Sequence, residues 1–225
     1  MKIAGLQKLT LLDYPEHLAC IVFTQGCNFN CGYCQNSELI NFNSDDLIDE
    51  NEVLEFLKKR VGILSGVVIS GGEPTIQKDL IDFIKKVKSL GYKVKLDTNG
   101  TNPEILKKLI DNELIDYIAM DIKHTFTKYE IVTCSKILKE AIQKSIKLVK
   151  TIPHEFRTTI IKGIHNEVEL EQICEYLGKD ETIYLQNFVM SEMVRGKSLL
   201  GFTNEELNNI KEKLNKKYPN VKVRL

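Results

Sequence analysis

The sequence lacks the features that would assign it to several common classes of protein. Its 31 Lys and Arg residues equal its 31 Asp and Glu residues, so no net field favours nucleic acid or an anionic membrane as partner. No apolar stretch approaches the roughly 18 residues of a membrane span, and the first residues contain no signal-peptide core. We therefore expect a cytoplasmic protein that binds neither nucleic acid nor membrane.

The sequence also lacks linkers, low-complexity tracts, sequence repeats and the two-histidine spacing of a zinc-binding helix. We assign no role to His17, His124, His154 or His165. The 225 residues are 43% apolar and 28% charged, as in an ordinary globular protein. They predict a single domain over residues 1–225.

Cysteine is concentrated in one place: Cys27, Cys31 and Cys34 lie within eight residues. Three thiolates are one fewer than a four-iron cluster needs, so one iron would stay free to bind and polarise a small molecule. In a reducing compartment such clustering indicates a metal site and not a disulfide framework. The motif therefore predicts a cluster that takes part in chemistry, and an enzyme is the leading hypothesis.

Zinc is the alternative metal, because its structural sites take four protein ligands and often use short cysteine spacings. A fourth ligand is hard to find. The residues between Cys20 and Cys27 read as a strand that would separate them by roughly 23 Å at about 3.3 Å per residue, so we expect Cys20 in the core. Cys134 and Cys174 have helix-like surroundings, where a lone thiol is most often a small buried hydrophobe. Zinc with three cysteines and an open position stays an alternative.

Strand-like and helix-like segments alternate along the chain. The predicted strands cover residues 18–25, 66–70, 93–97, 117–122, 156–162 and 182–188, with a short one at 221–225. The predicted helices cover residues 49–60, 78–90, a segment opened by Pro103, 136–150, 167–177 and 204–217. This alternation predicts a parallel sheet covered by helices, and six units are too few for an eight-stranded barrel. We expect an α/β fold, a partial open (β/α)6 barrel whose missing quarter forms a side entrance.

Unusual residues follow four consecutive predicted strands. They are the cysteine loop, Gly71-Gly72-Glu73-Pro74, Asp97-Thr98-Asn99-Gly100 and Asp121-Ile122-Lys123. Because ligands of parallel sheets bind at the carboxyl ends of the strands, we expect all four loops to face one mouth. Taken separately, the second and third loops read as turns, and Asp121 with Lys123 reads as a solvated ion pair. Together, the Asp and Lys residues would suit a zwitterionic cofactor.

The spacing Cys27-x3-Cys31-x2-Cys34 with aromatic Tyr33, followed by Gly71-Gly72-Glu73-Pro74, resembles the radical S-adenosylmethionine (SAM) superfamily. The resemblance extends over nearly the whole chain. The segments 9–15, 24–27, 97–100 and 119–123 together resemble activating proteins of glycyl radical enzymes, most of all those of anaerobic ribonucleoside-triphosphate reductase.

The resemblance implies two cofactors and a mechanism. Cys27, Cys31 and Cys34 would hold a 4Fe-4S cluster whose open iron binds the amino and carboxylate groups of SAM. One electron would break a C–S bond, and the 5′-deoxyadenosyl radical would take hydrogen from the α-carbon of a glycine in a partner enzyme. The implied partners are a glycyl radical enzyme, first of all the anaerobic reductase, and a low-potential electron donor such as flavodoxin or ferredoxin.

The resemblance also implies a set of SAM contacts on the four loops, namely Tyr33, Gln35, Asn36, Gly71, Gly72, Glu73, Asp97, Asp121 and Lys123. The backbone near Tyr33 would contact adenine, with Gln35 and Asn36 beside it, although Gln35 departs from the histidine often found there. The Gly71 to Glu73 backbone and Asp97 would form the amino-group site. Asp121 and Lys123 would address the polar end of the cofactor.

Two strand residues and one loop complete the expectations. Arg157 is either a cofactor contact or a surface charge, and Gln186 is either a cofactor contact or a buried amide satisfied by backbone. Segment 190–197, within the loop of residues 189–202, follows the sixth predicted strand and lacks periodicity. We predict that it helps to dock the glycine loop of the partner, and a plain surface loop is the alternative.

Three function classes are open at this point. The first is a glycyl radical activase, whose partner is the anaerobic reductase or another glycyl radical enzyme. The second is a radical SAM enzyme acting on a small molecule, which would turn over without a protein partner. The third is a zinc-bearing binding module, which would purify colourless and tolerate air.

Overall fold

The computed structural model describes residues 1–41 and 46–224. Within them, eight strands form one sheet in chain order: β1 (Ile3–Thr10), β2 (Ala19–Thr24), β3 (Gly66–Gly71), β4 (Lys93–Thr98), β5 (Tyr117–Asp121), β6 (His154–Ile160), β7 (Ile183–Asn187) and β8 (Val221–Arg224). Strand β1 runs antiparallel to β2, and every later neighbouring pair is parallel. The sheet curves into a barrel that does not close.

Seven α-helices occur in the described residues: α1 (Glu50–Lys58), α2 (Leu80–Ser89), α3 (Pro103–Asp111), α4 (Tyr129–Thr133), α5 (Lys139–Val149), α6 (Glu167–Leu177) and α7 (Asn204–Asn215). The longer helices are amphipathic, and α2 buries Leu80, Phe83, Ile84 and Val87 at helical spacing. Helices α6 and α7 both begin with a capping box. The side chain of the N-cap residue accepts from the backbone amide three residues later, and the Glu side chain of that later residue accepts from the N-cap amide. None of the described helices is long and apolar enough to cross a lipid bilayer.

Alternate side chains of the strands enter different environments. Val67 and Ile69 of β3 belong to the large apolar core, whereas Val68 between them joins a small cluster with Tyr14 and Ile21. The register pairs Val68 of β3 with Lys95 of β4. The side chains on this face of the sheet therefore change from apolar on β3 to charged on β4. The inner face of the open barrel is therefore apolar at β2 and β3 and charged from β4 onward, and the helices cover the large apolar core on the other face.

The predicted α/β open barrel is confirmed. The six predicted parallel strands occur, and the short strand after residue 220 adds a seventh, although its predicted last residue, Leu225, lies outside the described residues. The sequence analysis missed β1, because its residues 7–9 are all exposed and give no alternating pattern. It also missed the five-residue helix α4 and began α5 three residues too early.

The last strand is fastened by an ion pair across β7. The guanidinium of Arg224 makes two bonds to the carboxylate of Glu155 on β6, each 3.0 Å long, and Glu155 is 1% exposed. We predict that Arg224→Ala lowers the free energy of unfolding by about 2 kcal/mol. The buried Glu155 carboxylate loses its cation, and the effect is moderate because the Arg224 side chain is itself partly exposed. Denaturant unfolding measures this. Lys222→Ala on the same strand, outside the pair, is the control, and an equal loss in both variants would contradict the prediction.

Candidate functional site

A cavity of about 390 Å³ lies at the carboxyl ends of the parallel strands. Every predicted site residue lines it, namely Cys27, Cys31, Tyr33, Cys34, Gln35, Asn36, Gly71, Gly72, Glu73, Asp97, Asp121, Lys123, Arg157 and Gln186. The prediction that the four loops face one mouth is confirmed. The role of each residue as a ligand stays a prediction.

The cysteine loop is fixed against the loop that follows β3 by a close backbone contact. A Cβ atom on Gly72 would lie 1.9 Å from the Gly26 carbonyl oxygen, so only glycine fits there. The same carbonyl accepts a hydrogen bond of 2.8 Å from Glu73 N. Farther along, Asn30 N donates to the Thr133 carbonyl (3.0 Å), which ties the loop to the end of α4.

The cysteine thiols of the loop are free and largely shielded from solvent. Burial raises the pKa of the Cys27 thiol to about 12 and raises the pKa of Cys31, and the nearby Lys123 ammonium partly opposes both shifts. Metal binding must therefore release protons from these thiols. No three His, Cys, Asp or Glu side chains of residues 1–41 and 46–224 surround a single metal position. A four-iron cluster does not need such a group, because each thiolate binds a different iron.

The other three cysteines divide into two kinds. Cys20 and Cys174 are fully buried, as predicted. The expectation for Cys134 is wrong, because this thiol is exposed. Cys134 caps α4 in a left-handed conformation (φ 49°), where the chain turns at the surface beside the cysteine loop.

Glu73 joins two of the site loops. Its Oε1 accepts from Thr75 N (3.1 Å), the Thr75 hydroxyl (2.6 Å) and the Thr98 hydroxyl (2.7 Å), and its Oε2 accepts from Asn99 N (2.6 Å). Burial raises the pKa of Glu73 in spite of these bonds. Four donors bind this carboxylate and Glu73 is only 1% exposed, so the side chain serves to join the loops, and the neighbouring backbone around Gly72 is left to face a ligand.

Five charged side chains, four from three neighbouring strands and one from Lys123 just after β5, form a continuous chain of ion pairs beside the cavity. Lys95 Nζ lies 2.6 Å from Asp97 Oδ1, and Lys123 Nζ lies 2.9 Å from Asp121 Oδ2. Arg157 connects the two pairs, with Nη1 at 3.1 Å from Asp97 and Nε at 2.8 Å from Asp121. The register produces the link, because Asp121 of β5 pairs directly with Arg157 of β6.

The ion pairs set the charge of the cavity. Burial alone would raise the pKa of Asp121, but the charges of Arg157 and Lys123 hold it at about 2. Arg157 and Lys95 likewise keep the pKa of Asp97 below its usual value against the effect of burial. Both carboxylates are ionised at neutral pH. Lys123 and Arg157 line the cavity beside them, whereas Lys95 is 1% exposed and does not line it. Charged groups of both signs therefore face a ligand, which suits a zwitterion.

Two residues with alternative readings can now be placed. Arg157 is not a surface charge, because its side chain is 12% exposed and binds two carboxylates. Gln186 is half-buried on the cavity wall, and its amide makes no hydrogen bond to the described residues, so it is not a buried amide satisfied by backbone.

The sequence analysis missed two residues that bind Asp97, namely Lys95 and Ser70. The Ser70 hydroxyl donates to Asp97 (3.1 Å). Lys95 lies two residues before Asp97 on the same face of a strand, which was an available signal.

Tyr33 supplies an unusual polar atom to the cavity. The residue is 5% exposed, and its buried hydroxyl has no hydrogen-bond partner among the described residues, although it lies beside the Cys31 thiol. A buried polar group without a partner is uncommon in a folded protein. This hydroxyl is consistent with a bound polar ligand at that position.

The loop after β7 packs on the cysteine loop. Arg195 Nη2 donates to the Asn30 carbonyl (3.2 Å), the Asn30 side-chain oxygen (2.6 Å) and the Cys31 carbonyl (3.3 Å). Gly196 N donates to the Gly32 carbonyl (2.8 Å). The guanidinium of Arg195 is thus engaged within the chain.

Two further contacts fasten the same loop. Gln35 Nε2 donates to the Val189 carbonyl (3.1 Å), and the Ser37 hydroxyl donates to the Met193 carbonyl. Segment 190–197 is therefore a cover for the cysteine loop and more than a plain surface loop. Its predicted part in docking a partner stays a prediction.

Residues 21–177 match the Radical SAM superfamily. The chain belongs to this superfamily. The match includes the cysteine loop and the strands that carry the charged wall of the cavity. Membership leaves no support for the zinc-bearing binding module.

Three proteins illustrate what this radical SAM protein is similar to. A Methanocaldococcus jannaschii protein, named as a candidate glycyl-radical enzyme activating enzyme, is 34% identical over 83% of this chain and 79% of its own length. A GTP 3′,8-cyclase assigned in Pyrococcus abyssi is 28% identical over 72% of this chain, which spans only 53% of that relative. The crystal structure of Streptococcus suis SuiB bound to S-adenosylmethionine shares the fold, with a TM-score of 0.70 at 14% identity over 89% of this chain and 48% of SuiB.

The cofactors of the superfamily, a 4Fe-4S cluster and SAM, fit this cavity. Three free thiols lie on one loop, an unpartnered hydroxyl lies beside them, and fixed charges of both signs line the wall. The volume is within the range of about 300 to 1,000 Å³ that holds one small ligand. The cofactor prediction is confirmed, and the residues that would hold the cluster are Cys27, Cys31 and Cys34.

The contact between Gly72 and Gly26 can be tested with a matched pair of glycines. Gly72→Ala should lower the free energy of unfolding by about 3 kcal/mol and the iron bound after anaerobic reconstitution, because the new Cβ collides with backbone next to Cys27. Gly32→Ala is the control, since a Cβ there meets nothing within 4 Å. Denaturant unfolding and iron analysis measure the two effects. Equal iron content in the two variants would contradict the prediction that the contact between Gly72 and Gly26 holds the cysteine loop in place.

The contact of Arg195 with the cysteine loop predicts an effect on the cluster. Arg195→Ala should speed the loss of iron to a chelator about tenfold, because a charge-assisted hydrogen bond to the loop contributes roughly 1.5 kcal/mol. Lys197→Ala removes a nearby exposed charge and is the control. If chelation is unchanged in Arg195→Ala while activation of a partner is lost, Arg195 serves docking instead.

Proposed function

We propose that this radical SAM enzyme is a glycyl radical enzyme activase, which uses reductive cleavage of SAM to place a radical on a backbone glycine of a partner enzyme in the cytoplasm. The similarity to the Methanocaldococcus jannaschii protein carries the proposal, because it extends over 83% of this chain and 79% of that relative. The motif resemblance favours the anaerobic ribonucleoside-triphosphate reductase as partner. A low-potential donor such as flavodoxin or ferredoxin would supply the electron.

The shape of the site supports a macromolecular substrate. A cavity of about 390 Å³ is near the lower end of the range for one small ligand, and it would already hold the cluster and SAM. A second reactant would therefore reach SAM from outside the cavity. The sheet does not close between β1 and β8, so its inner face can be approached from the side. A protein loop that presents one backbone Cα–H group fits this entrance.

The residues of the chain would divide the work between them. Bound together, the cluster and SAM supply a one-electron C–S cleavage whose carbon radical removes one hydrogen atom and leaves methionine and 5′-deoxyadenosine. Cys27, Cys31 and Cys34 would hold the cluster. Lys123 and Arg157 would attract the carboxylate of SAM, and Asp121, with two of its four acceptor positions in use, would accept from the ammonium.

A small-molecule radical SAM enzyme is the second candidate. The similarity to GTP 3′,8-cyclases favours it, but the chain spans only about half of such a relative. A cyclase-like enzyme would turn over its substrate without a protein partner.

The test is anaerobic reconstitution with iron and sulfide, reduction, and addition of SAM with the candidate reductase. We expect 5′-deoxyadenosine together with a new glycyl radical signal in electron paramagnetic resonance, because hydrogen abstraction leaves the unpaired electron on the glycine. Cys31→Ala should lose both products, since one cluster ligand is missing.

Other outcomes separate the candidates. Deoxyadenosine without a glycyl radical on any candidate glycyl radical enzyme would contradict the activase and favour the small-molecule enzyme. A radical formed on a different glycyl radical enzyme, with none on the reductase, would keep the activase and change the partner.

A further inference from the structure

Two histidines that the sequence left without a role form a stacked pair beside the cavity. The ring centroids of His124 and His165 are 4.6 Å apart, with 30° between the ring planes. Both residues are buried, at 2% and 3% exposure. His124 directly follows the cavity residue Lys123, and His165 lies in the loop between β6 and α6. The pair therefore connects two loops at the carboxyl end of the sheet.

Each ring donates a hydrogen bond to the backbone of the other loop. His124 Nε2 lies 3.1 Å from the Ile164 carbonyl oxygen, and His165 Nε2 lies 3.1 Å from the Lys123 carbonyl oxygen. A carbonyl only accepts, so Nε2 of each ring carries a proton. The two bonds are reciprocal, since each histidine adjoins the residue whose carbonyl the other one binds.

Backbone amides fill the remaining ring nitrogens. Thr125 N donates to His124 Nδ1 (2.8 Å), and Ile161 N donates to His165 Nδ1 (3.2 Å). A ring nitrogen that accepts cannot also carry a proton, so these bonds favour the Nε2–H tautomer of His165 and match the same orientation in His124.

The charged groups next to the pair are engaged by other residues. Glu169 on α6 approaches His124 Nε2 at 3.6 Å, but its carboxylate also pairs with Lys128 and accepts from Asn166 N. The Lys123 ammonium is turned to Asp121. Burial, with a smaller effect of His124, lowers the pKa of His165 to about 4, so this ring is uncharged at neutral pH.

The backbone of Lys123 needs the hydrogen bond from His165 because it lies beyond the end of strand β5. Strand β5 ends at Asp121, and the ladder to β6 continues only as far as the bond from Ile122 N to the Arg157 carbonyl (2.8 Å). The backbone of Lys123 lies one residue farther, where the bond from His165 takes over. Its side chain must nevertheless reach Asp121 and the region of Cys31.

We propose that His124 and His165 are positioning residues that hold the backbone of Lys123, so that its ammonium meets the polar end of SAM. The pair acts through Lys123 and touches neither the cluster nor SAM. This inference rests on the proposed role of Lys123 as a SAM contact. It does not depend on which substrate receives the radical.

The test is the affinity of the cluster-loaded protein for SAM, measured by calorimetry without oxygen. His165→Ala should weaken SAM binding about tenfold, as the loss of one well-placed contact would, and Lys123→Ala should weaken it at least as much. His165→Gln should recover part of the affinity, because its amide can still donate to the Lys123 carbonyl. His154→Ala is the matched control: this histidine bonds Ile152 and Glu181 at the opposite end of β6, so its loss should lower the melting temperature and leave SAM affinity unchanged.

The outcomes distinguish the role of Lys123 from the role of the histidine pair. If Lys123→Ala binds SAM like the wild type, the role of Lys123 fails and the inference fails with it. If Lys123→Ala weakens binding and His165→Ala does not, the histidine pair is structural only and the inference is overturned while the role of Lys123 stands.

A second measurement covers the case in which the His165 variants do not fold. Nitrogen-15 shifts of the imidazole in the full-length wild-type chain should show His165 as the neutral Nε2–H tautomer at pH 7. His165 should stay neutral as the pH falls to about 5, because its pKa lies near 4. An Nδ1–H tautomer or an imidazolium for His165 at pH 7 would overturn the inference.

Discussion

The cavity depends on Arg157, which bridges two buried carboxylates. Asp97 and Asp121 project from neighbouring parallel strands toward the same space, and without a cation between them two negative charges would share a site of low dielectric. The guanidinium binds one oxygen of each carboxylate, and Lys95 and Lys123 bind the other two. This arrangement keeps both carboxylates ionised inside a folded chain. It gives the cavity fixed dipoles before any ligand enters.

The rest of the site is built by tying loops to one another. Regular secondary structure ends where the cavity begins, so the ladder of backbone hydrogen bonds cannot hold the loops in place. The buried polar side chains of Glu73 and the two histidines, and the exposed side chain of Arg195, take over this task. Glu73 joins the loops after β3 and β4, the histidine pair joins those after β5 and β6, and Arg195 joins the loop after β7 to the cysteine loop. Each tie satisfies polar groups that would otherwise be costly to bury.

The open sheet sets the direction from which a reactant can arrive. A closed eight-stranded barrel would fill its interior with side chains, whereas this sheet ends at β1 and β8 and carries polar residues on its inner face. The cysteine loop and its cover lie over the carboxyl ends of the strands, which shields the cluster side of the cavity. The lateral approach is what remains for a substrate. This geometry is the physical link between the fold and the proposed activation of a protein loop.

The sequence by itself determined the parallel α/β class, the six central units, the cysteine motif and the membership of all fourteen predicted residues in one cavity wall. The fold class and the meeting of the loops follow from local information, because periodicity sets the elements and parallel strands bring their carboxyl ends together. The set of cofactor contacts came from the resemblance to the superfamily. The sequence missed β1, an edge strand with no alternating pattern, and it placed the exposed Cys134 in the core. Only the tertiary structure decided how the polar groups pair. His165 with Lys123, and Arg195 with Cys31, are 42 and 164 residues apart, and their contacts depend on strand register and loop course, which no local pattern encodes.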